Sequence, residues 1–199
     1  VSLSVSDLLT IDYIPEPEDL SLQTIALFYE EHLMNKQFLF RVKHKVGEIR
    51  IRFEEGTLPH LMAIHKFING QAGKSLIAHR GMINGQITLE SLKQMNVGSY
   101  EKFKYRMTSL PLIHQIVNCD IAKPTFIELD PRENEARANW QVSNKQYGKM
   151  FVQLKLRLVK DGYPNCFAPV SIEINRQLPP KKRIGVKEII ELPFGDGWQ

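Results

Sequence analysis

Residues 38–53 read FLFRVKHKVGEIRIRF, and this stretch decides the fold class. Ile49-Arg50-Ile51-Arg52-Phe53 alternates strictly between apolar and basic side chains, the period of a half-buried strand. Phe38 to His44 supplies a second run, and Lys45-Val46-Gly47-Glu48 between them carries the glycine of a turn. The spacing predicts a β-hairpin with Ile49, Ile51 and Phe53 on one face and Arg50 and Arg52 on the other.

The elements around the hairpin follow from local signals. Downstream, Gly56-Thr57-Leu58-Pro59 stops the strand and starts a helix, with Thr57 as N-cap and Pro59 in the first turn. That helix carries His60 to Ile68, and Asn69-Gly70 ends it. Upstream, residues 1–20 read as a peripheral arm broken by Pro15 and Pro17, and residues 21–34 as a helix with Leu22, Ile25, Phe28, Tyr29 and Leu33 at spacings of three and four. Residues 71–118 read as helical pieces, one starting near Thr88 and another from Tyr100 to Val117 that Pro111 kinks or divides. The last third reads as strands over 125–129, 138–142, 150–159 and 167–174, with a turn at Asp161-Gly162. Pro179-Pro180-Lys181-Lys182-Arg183 reads as a solvated basic linker, followed by a short apolar element from Val186 to Leu192. The expected organisation is an arm over 1–20, one α+β domain over 21–178 and a basic tail over 179–199. In that domain a helical N-terminal and middle part packs on an antiparallel sheet.

With 26 basic and 22 acidic residues the formal charge is +4, which permits a nucleic-acid partner but is shared by many soluble enzymes. Cys119 and Cys166 fit neither a disulfide framework nor a zinc ribbon, and suit a reducing, cytoplasmic setting. No apolar run approaches the roughly 18 residues of a membrane span, so no membrane partner is expected.

The histidine stretch carries the candidate chemistry. At 100° per residue a continuous helix puts His60 and His65 about 140° apart, flanking the apolar face of Leu61, Ile64 and Ile68. They cannot then form the same-face pair of a zinc-protease helix. Each imidazole is either an acid/base group or a hydrogen-bonded packing residue. Lys66, on the opposite side, joins Arg50 and Arg52 as a candidate nucleic-acid contact. Lys102, Lys104 and Arg106, interleaved with Phe103 and Tyr105, suit phosphates and stacked bases, or a solvated helix face. Arg106 is the best phosphate clamp among them, because guanidinium binds phosphate bidentately. Lys155 and Arg157 share a strand face, and Ser171 lies on the presumed partner strand. This surface is either a bed for a scissile phosphate or the solvent face of a sheet. Gly73-Lys74-Ser75 lacks the first glycine of a P-loop, and no carboxylate cluster suggests a two-metal centre. Nuclease chemistry on this chain is therefore expected to need no metal and no cofactor.

LPHLMAIHKF, at residues 58–67, resembles a motif of the phage-associated nuclease-like families grouped under the barnase–EndoU–colicin–RelE (BECR) fold. Their helix often reads His-Leu-Leu-Gly-Leu-His. Met62, Ala63 and Ile64 stand for the leucine, glycine and second leucine, and both histidines match. Tyr105-Arg106-Met107 is similar to the family's Arg-Ile segment. Tyr163-Pro164 leading to Ser171 is similar to its Tyr-x-Pro…Ser-Phe-Phe ending, with Ile172 and Glu173 in place of the phenylalanines. The resemblance covers roughly residues 22–175. It implies a BECR-like fold and a metal-independent endoribonuclease of toxin or mobile-element type. His60 and His65 become its acid/base groups, with Arg106 and Ser171 supporting. It implies RNA, transfer RNA included, as substrate, cut by 2′-hydroxyl attack, and an immunity or antitoxin protein as partner. Two other readings stay open: a non-catalytic nucleic-acid-binding module, and a protein-interaction domain of a phage or mobile element.

Overall fold

The protein is described by a computed structural model covering residues 2–68, 75–118, 123–160 and 164–195. The expected helix stop at Asn69-Gly70, the Asp161-Gly162 turn, Cys119 and Tyr163 lie outside those residues.

The hairpin forms as read. Strands β1 (Lys36–Val42) and β2 (Glu48–Phe53) pair antiparallel, with Phe38 opposite Ile51 and Phe40 opposite Ile49. Gly47, at φ +72°, makes the turn, a conformation glycine adopts without steric cost. Ile49, Ile51 and Phe53 are fully buried. The opposite face differs from expectation. Arg52 is only 6% exposed, and its guanidinium lies 2.5 Å from the Glu54 carboxylate. Side chains project from the faces of a strand, and the burial of Arg52 means that the second face of β2 is covered there too, so period two does not here separate core from solvent.

The architecture is not the α+β arrangement expected from the sequence, a helical N-terminal and middle part packed on an antiparallel sheet. The sheet closes into a seven-stranded barrel. Its order is β4 (Trp140–Ser143), β3 (Thr125–Glu128), β8 (Arg183–Leu192), β1, β2, β7 (Cys166–Asn175) and β6 (Met150–Leu158), and β6 pairs back to β4. The short β5 (Gln146–Tyr147) also pairs with β6. Among the described residues all pairings are antiparallel except β2 with β7. Closure depends on the nine-residue β6, which takes β7 along one edge and β4 and β5 in succession along the other. Register shifts in the β6–β7 and β1–β8 ladders bend the strands as closure requires.

The apolar element read at Val186 to Leu192 is part of a longer strand, β8, that begins at Arg183 within the stretch read as basic linker. This strand sits between β1 and β3, with Phe40 opposite Ile189 and Phe126 opposite Ile184. The N-terminal arm is docked too: Leu8 and Ile11 are buried, and the Gln115 side chain donates to the Ile11 carbonyl.

The helices are α1 (Leu22–His32), α2 (Thr57–Leu61), α3 (Ser75–Ile83), α4 (Leu89–Met95), α5 (Val97–Thr108) and α6 (Pro111–Asn118). Thr88 caps α4 in a reciprocal box with Ser91, and Pro111 opens α6 as the divider its ring demands. Phe28, Tyr29, Phe38, Phe40, Phe53 and Phe126 are fully buried in one core, each such side chain contributing roughly 1.5–3 kcal/mol by leaving water. The Tyr29 hydroxyl donates to the Glu54 carbonyl at 2.6 Å, and burial raises its pKa. Among the described residues no helix is long and apolar enough to cross a membrane.

Candidate active site

The helix that carries the histidines breaks between them. α2 ends at Leu61, Ala63 takes the left-handed conformation (φ 58°, ψ 27°), and a 3-10 turn follows over Ile64–Lys66. The break corrects the continuous helix expected from Leu58 to Ile68. Met62 and Ile64 are both fully buried, so the kink keeps both apolar side chains inside while redirecting the chain. It also swings the two imidazoles together, with ring centres 5.4 Å apart and planes inclined by 50°. Both histidines are exposed. The other histidines of this chain are held in packing: His79 sits 2.9 Å from Glu30, His32 and His114 contact the Phe28 ring, and His44 lies against Trp140.

Arg106, from α5, holds the broken end. Its Nη2 donates to the His60 carbonyl at 3.0 Å and its Nε donates to the Leu61 carbonyl. Carbonyls in the last turn of a helix lack onward partners, and a cation there also suits the negative end of the helix dipole. Burial lowers the pKa of this guanidinium to about 10, partly opposed by Glu173, so it remains a cation at neutral pH.

These elements wall a cavity of about 580 Å³. His65 and Lys66 line it from the 3-10 turn, Lys102, Phe103, Tyr105 and Arg106 from α5, and Ser171, Glu173 and Asn175 from β7. With Glu135, its charged lining is three cations against two carboxylates, before His65 is counted. The His65 imidazole is held below its ordinary pKa, first by loss of solvent and then by the charges of His60, Lys66 and Arg106. It is therefore mostly neutral at neutral pH, with a lone pair able to take a proton. Among the described residues no three His, Cys, Asp or Glu side chains converge as a metal-binding group.

The cavity lining takes in His65, Arg106, Ser171, Lys66 and Lys102; His60 is not part of that lining and adjoins it through its ring contact with His65. The lining leaves out Arg50 on β2, Arg157 at the exposed end of β6, and Arg52, which is buried. Lys104 lies 2.7 Å from Glu101 and does not line the cavity. Lys155 reaches the site through a partner, since its Nζ lies 2.7 Å from Glu173 Oε1. Glu173 was named from sequence only as a departure from the resembling motif, not as a candidate site residue. The signal was present: it lies two residues beyond Ser171 on one strand, hence on the same face.

No curated protein and no solved structure matches the chain. One family model does, over residues 21–192, taking in every element from α1 to β8. That agrees with the resemblance seen in the histidine stretch. The chain belongs to the phage-Barnase-EndoU-ColicinE5/D-RelE like nuclease4 family, PBECR4.

Proposed function

We propose that this nuclease-family chain is a metal-independent endoribonuclease that uses His65 and His60 as its acid/base pair. Neutral His65 takes the proton of a ribose 2′-hydroxyl, whose oxygen attacks the adjacent phosphorus. His60 protonates the departing 5′-oxygen, leaving a 2′,3′-cyclic phosphate and a 5′-hydroxyl. Lys66, Lys102 and Arg106 offset the charge gathered on the phosphorane, and Ser171 donates a hydrogen bond to it. Deoxyribose lacks the nucleophile, so DNA is left intact.

The carrying observation is the pair of exposed imidazoles, 5.4 Å between ring centres, beside a cavity rich in cations. The expected substrates are transfer RNA or another structured RNA in the cytoplasm. A neutralising partner would cover the cavity with acidic side chains.

The test is incubation of the chain with mixed RNA and with single-stranded DNA, both in chelator, alongside His60→Ala and His65→Ala. RNA cleavage by the wild type alone supports the reading. Undiminished cleavage by both variants removes the histidine mechanism, and cleavage of DNA removes the 2′-hydroxyl step. Salt-sensitive RNA retention without cleavage would favour a binding module.

A further inference from the structure

Beside the cavity lies a second hollow, of about 630 Å³, formed by the loop between β3 and β4. Arg132, Asn134 and Arg137 line it, and Glu135 lines both hollows, so the two adjoin. Asn134 clasps the loop. Its side-chain amide donates to the Asp130 and Ala138 carbonyls at 2.7 and 3.0 Å, and its side-chain oxygen accepts from the Ala138 amide at 2.8 Å. Three hydrogen bonds from one side chain fix the path of the backbone between them.

That path holds Arg137 at φ +50°, in the left-handed region that a residue with a Cβ enters at a steric cost. Among the described residues three others outside glycine share it. Asn35 and Asn165 are of the type that enters it most readily, and Ala63 is the break between the two histidines. Setting asparagine aside, this conformation therefore falls once at the histidines and once beside the cavity. Backbone strain persists where its surroundings over-determine it, and it clusters where ligands are held.

Charge singles out Arg137 within the loop. Arg132 is occupied, its Nη2 2.7 Å and its Nε 3.1 Å from the Asp130 carboxylate. Arg137 is exposed, and among the described residues its guanidinium has no ion-pair or hydrogen-bond partner. A guanidinium fork with unspent donors, carried on a clasped loop, matches the oxygens of a phosphate. Glu135 keeps anions off the shared border, which leaves one phosphate to each hollow.

We infer that Arg137 binds a phosphate of the RNA strand flanking the one at the histidines, so that the site grips the strand at two phosphates. The inference rests on the RNA reading above and extends it beyond the cleaved link.

The test is fluorescence anisotropy of a labelled single-stranded RNA octanucleotide with 2′-O-methyl sugars, which lack the nucleophile, titrated with the full chain across a salt series. Each phosphate neutralised on a single strand contributes about 0.7 to the slope of log affinity against log salt. Arg137→Asn keeps a residue that accepts left-handed backbone and removes the cation. It is expected to weaken binding at low salt and to make the slope shallower by about 0.7. Arg137→Lys keeps the charge and is expected to keep the slope. Partial misfolding of a variant lowers the binding fraction without moving the slope, so the readout separates recognition from stability. An unchanged slope in Arg137→Asn, an Arg137→Lys slope as shallow as that of Arg137→Asn, or no binding by the wild type overturns the inference. Binding needs no cleavage. An Arg137-dependent slope in a chain that leaves natural RNA intact sinks the ribonuclease reading alone, and RNA cut with a slope indifferent to Arg137 sinks this one alone.

Discussion

Arg106 Nη2 donates to the main-chain carbonyl of His60 across 3.0 Å, tying α5 to the end of the helix that carries the histidine. The bond fixes backbone, not imidazole, so Arg106 both lines the cavity and positions the residues beside it. Arg106→Ala is expected to cost about 2–3 kcal/mol of stability, the scale of hydrogen bonds to a charged donor. Arg106→Lys is expected to recover little, because an ammonium cannot reproduce the fork that reaches two carbonyls. Urea unfolding of both variants checks this, and wild-type stability in the alanine variant would contradict it.

The two histidines are expected to act as a unit. Each alanine variant should lose about 10²–10⁴-fold in RNA cleavage, the usual contribution of a positioned acid or base. The double variant should fall no further than the weaker single, because removing either partner already stops concerted proton transfer. Both side chains are exposed, so thermal unfolding should stay close to wild type. Single-turnover rates for the three variants decide the matter: losses that multiply would show two independent roles.

The pH profile carries a sign. His65 must be unprotonated to act as base, and its surroundings hold its pKa below the ordinary histidine value of about 6.5. The acidic limb of kcat/KM is therefore expected below that value. Lys66→Gln removes one of the positive charges that disfavour protonation of His65, so the limb should move to higher pH. Profiles of wild type and variant in one buffer series test it, and a shift to lower pH would reverse the assignment of His65 as base.

Ala63 is a compromise between backbone and packing. Its left-handed conformation costs about 1–2 kcal/mol for a residue with a Cβ. Ala63→Gly relieves that cost but removes a buried methyl, worth about 0.8 kcal/mol, and adds freedom to the unfolded chain, worth about 0.5–1 kcal/mol. The opposing effects nearly cancel, so the glycine variant should unfold within about 1 kcal/mol of wild type and remain active. Ala63→Val adds branching where the backbone tolerates it least, and should lose about 2 kcal/mol or more together with activity. A valine variant as stable and active as wild type would mean the left-handed break does not set the histidine geometry.

What was legible in the sequence was local. The hairpin at 38–53, the helix start near Thr88 and the division at Pro111 each rest on a few neighbouring residues, and each forms, with the hairpin's first strand beginning two residues earlier at Lys36. Barrel closure was not legible, because the pairing of Trp140 with Leu156 and Val142 with Leu154 depends on strand length and register, not on alternation. The apolar part of β8, Val186 to Leu192, was legible, but its start at Arg183 was masked by the linker-like composition of Pro179 to Arg183, and its place inside the sheet was not legible. At the site, the residue types were legible and their geometry was not. His60 and His65 look opposed on a regular helix, and only the left-handed Ala63 brings them together; alanine gives no sign of that conformation where glycine would. Arg52 looked like a surface cation because its strand alternates, yet its face of the strand is covered at that position and it pairs with Glu54.

Because β8 lies between β1 and β3, the order of synthesis constrains when the ring can form. Residues 36–42 and 125–128 must wait for residues 183–192 before their shared neighbour exists. Until then each presents an unpaired row of amides and carbonyls, a template for pairing with another chain. A nascent or truncated polypeptide stopping short of Arg183 therefore carries its histidines without a closed scaffold to hold them, and is more prone to aggregate than to cut. Contacts spanning so much of the chain also slow folding, since loop closure must come before the pairing that offsets it.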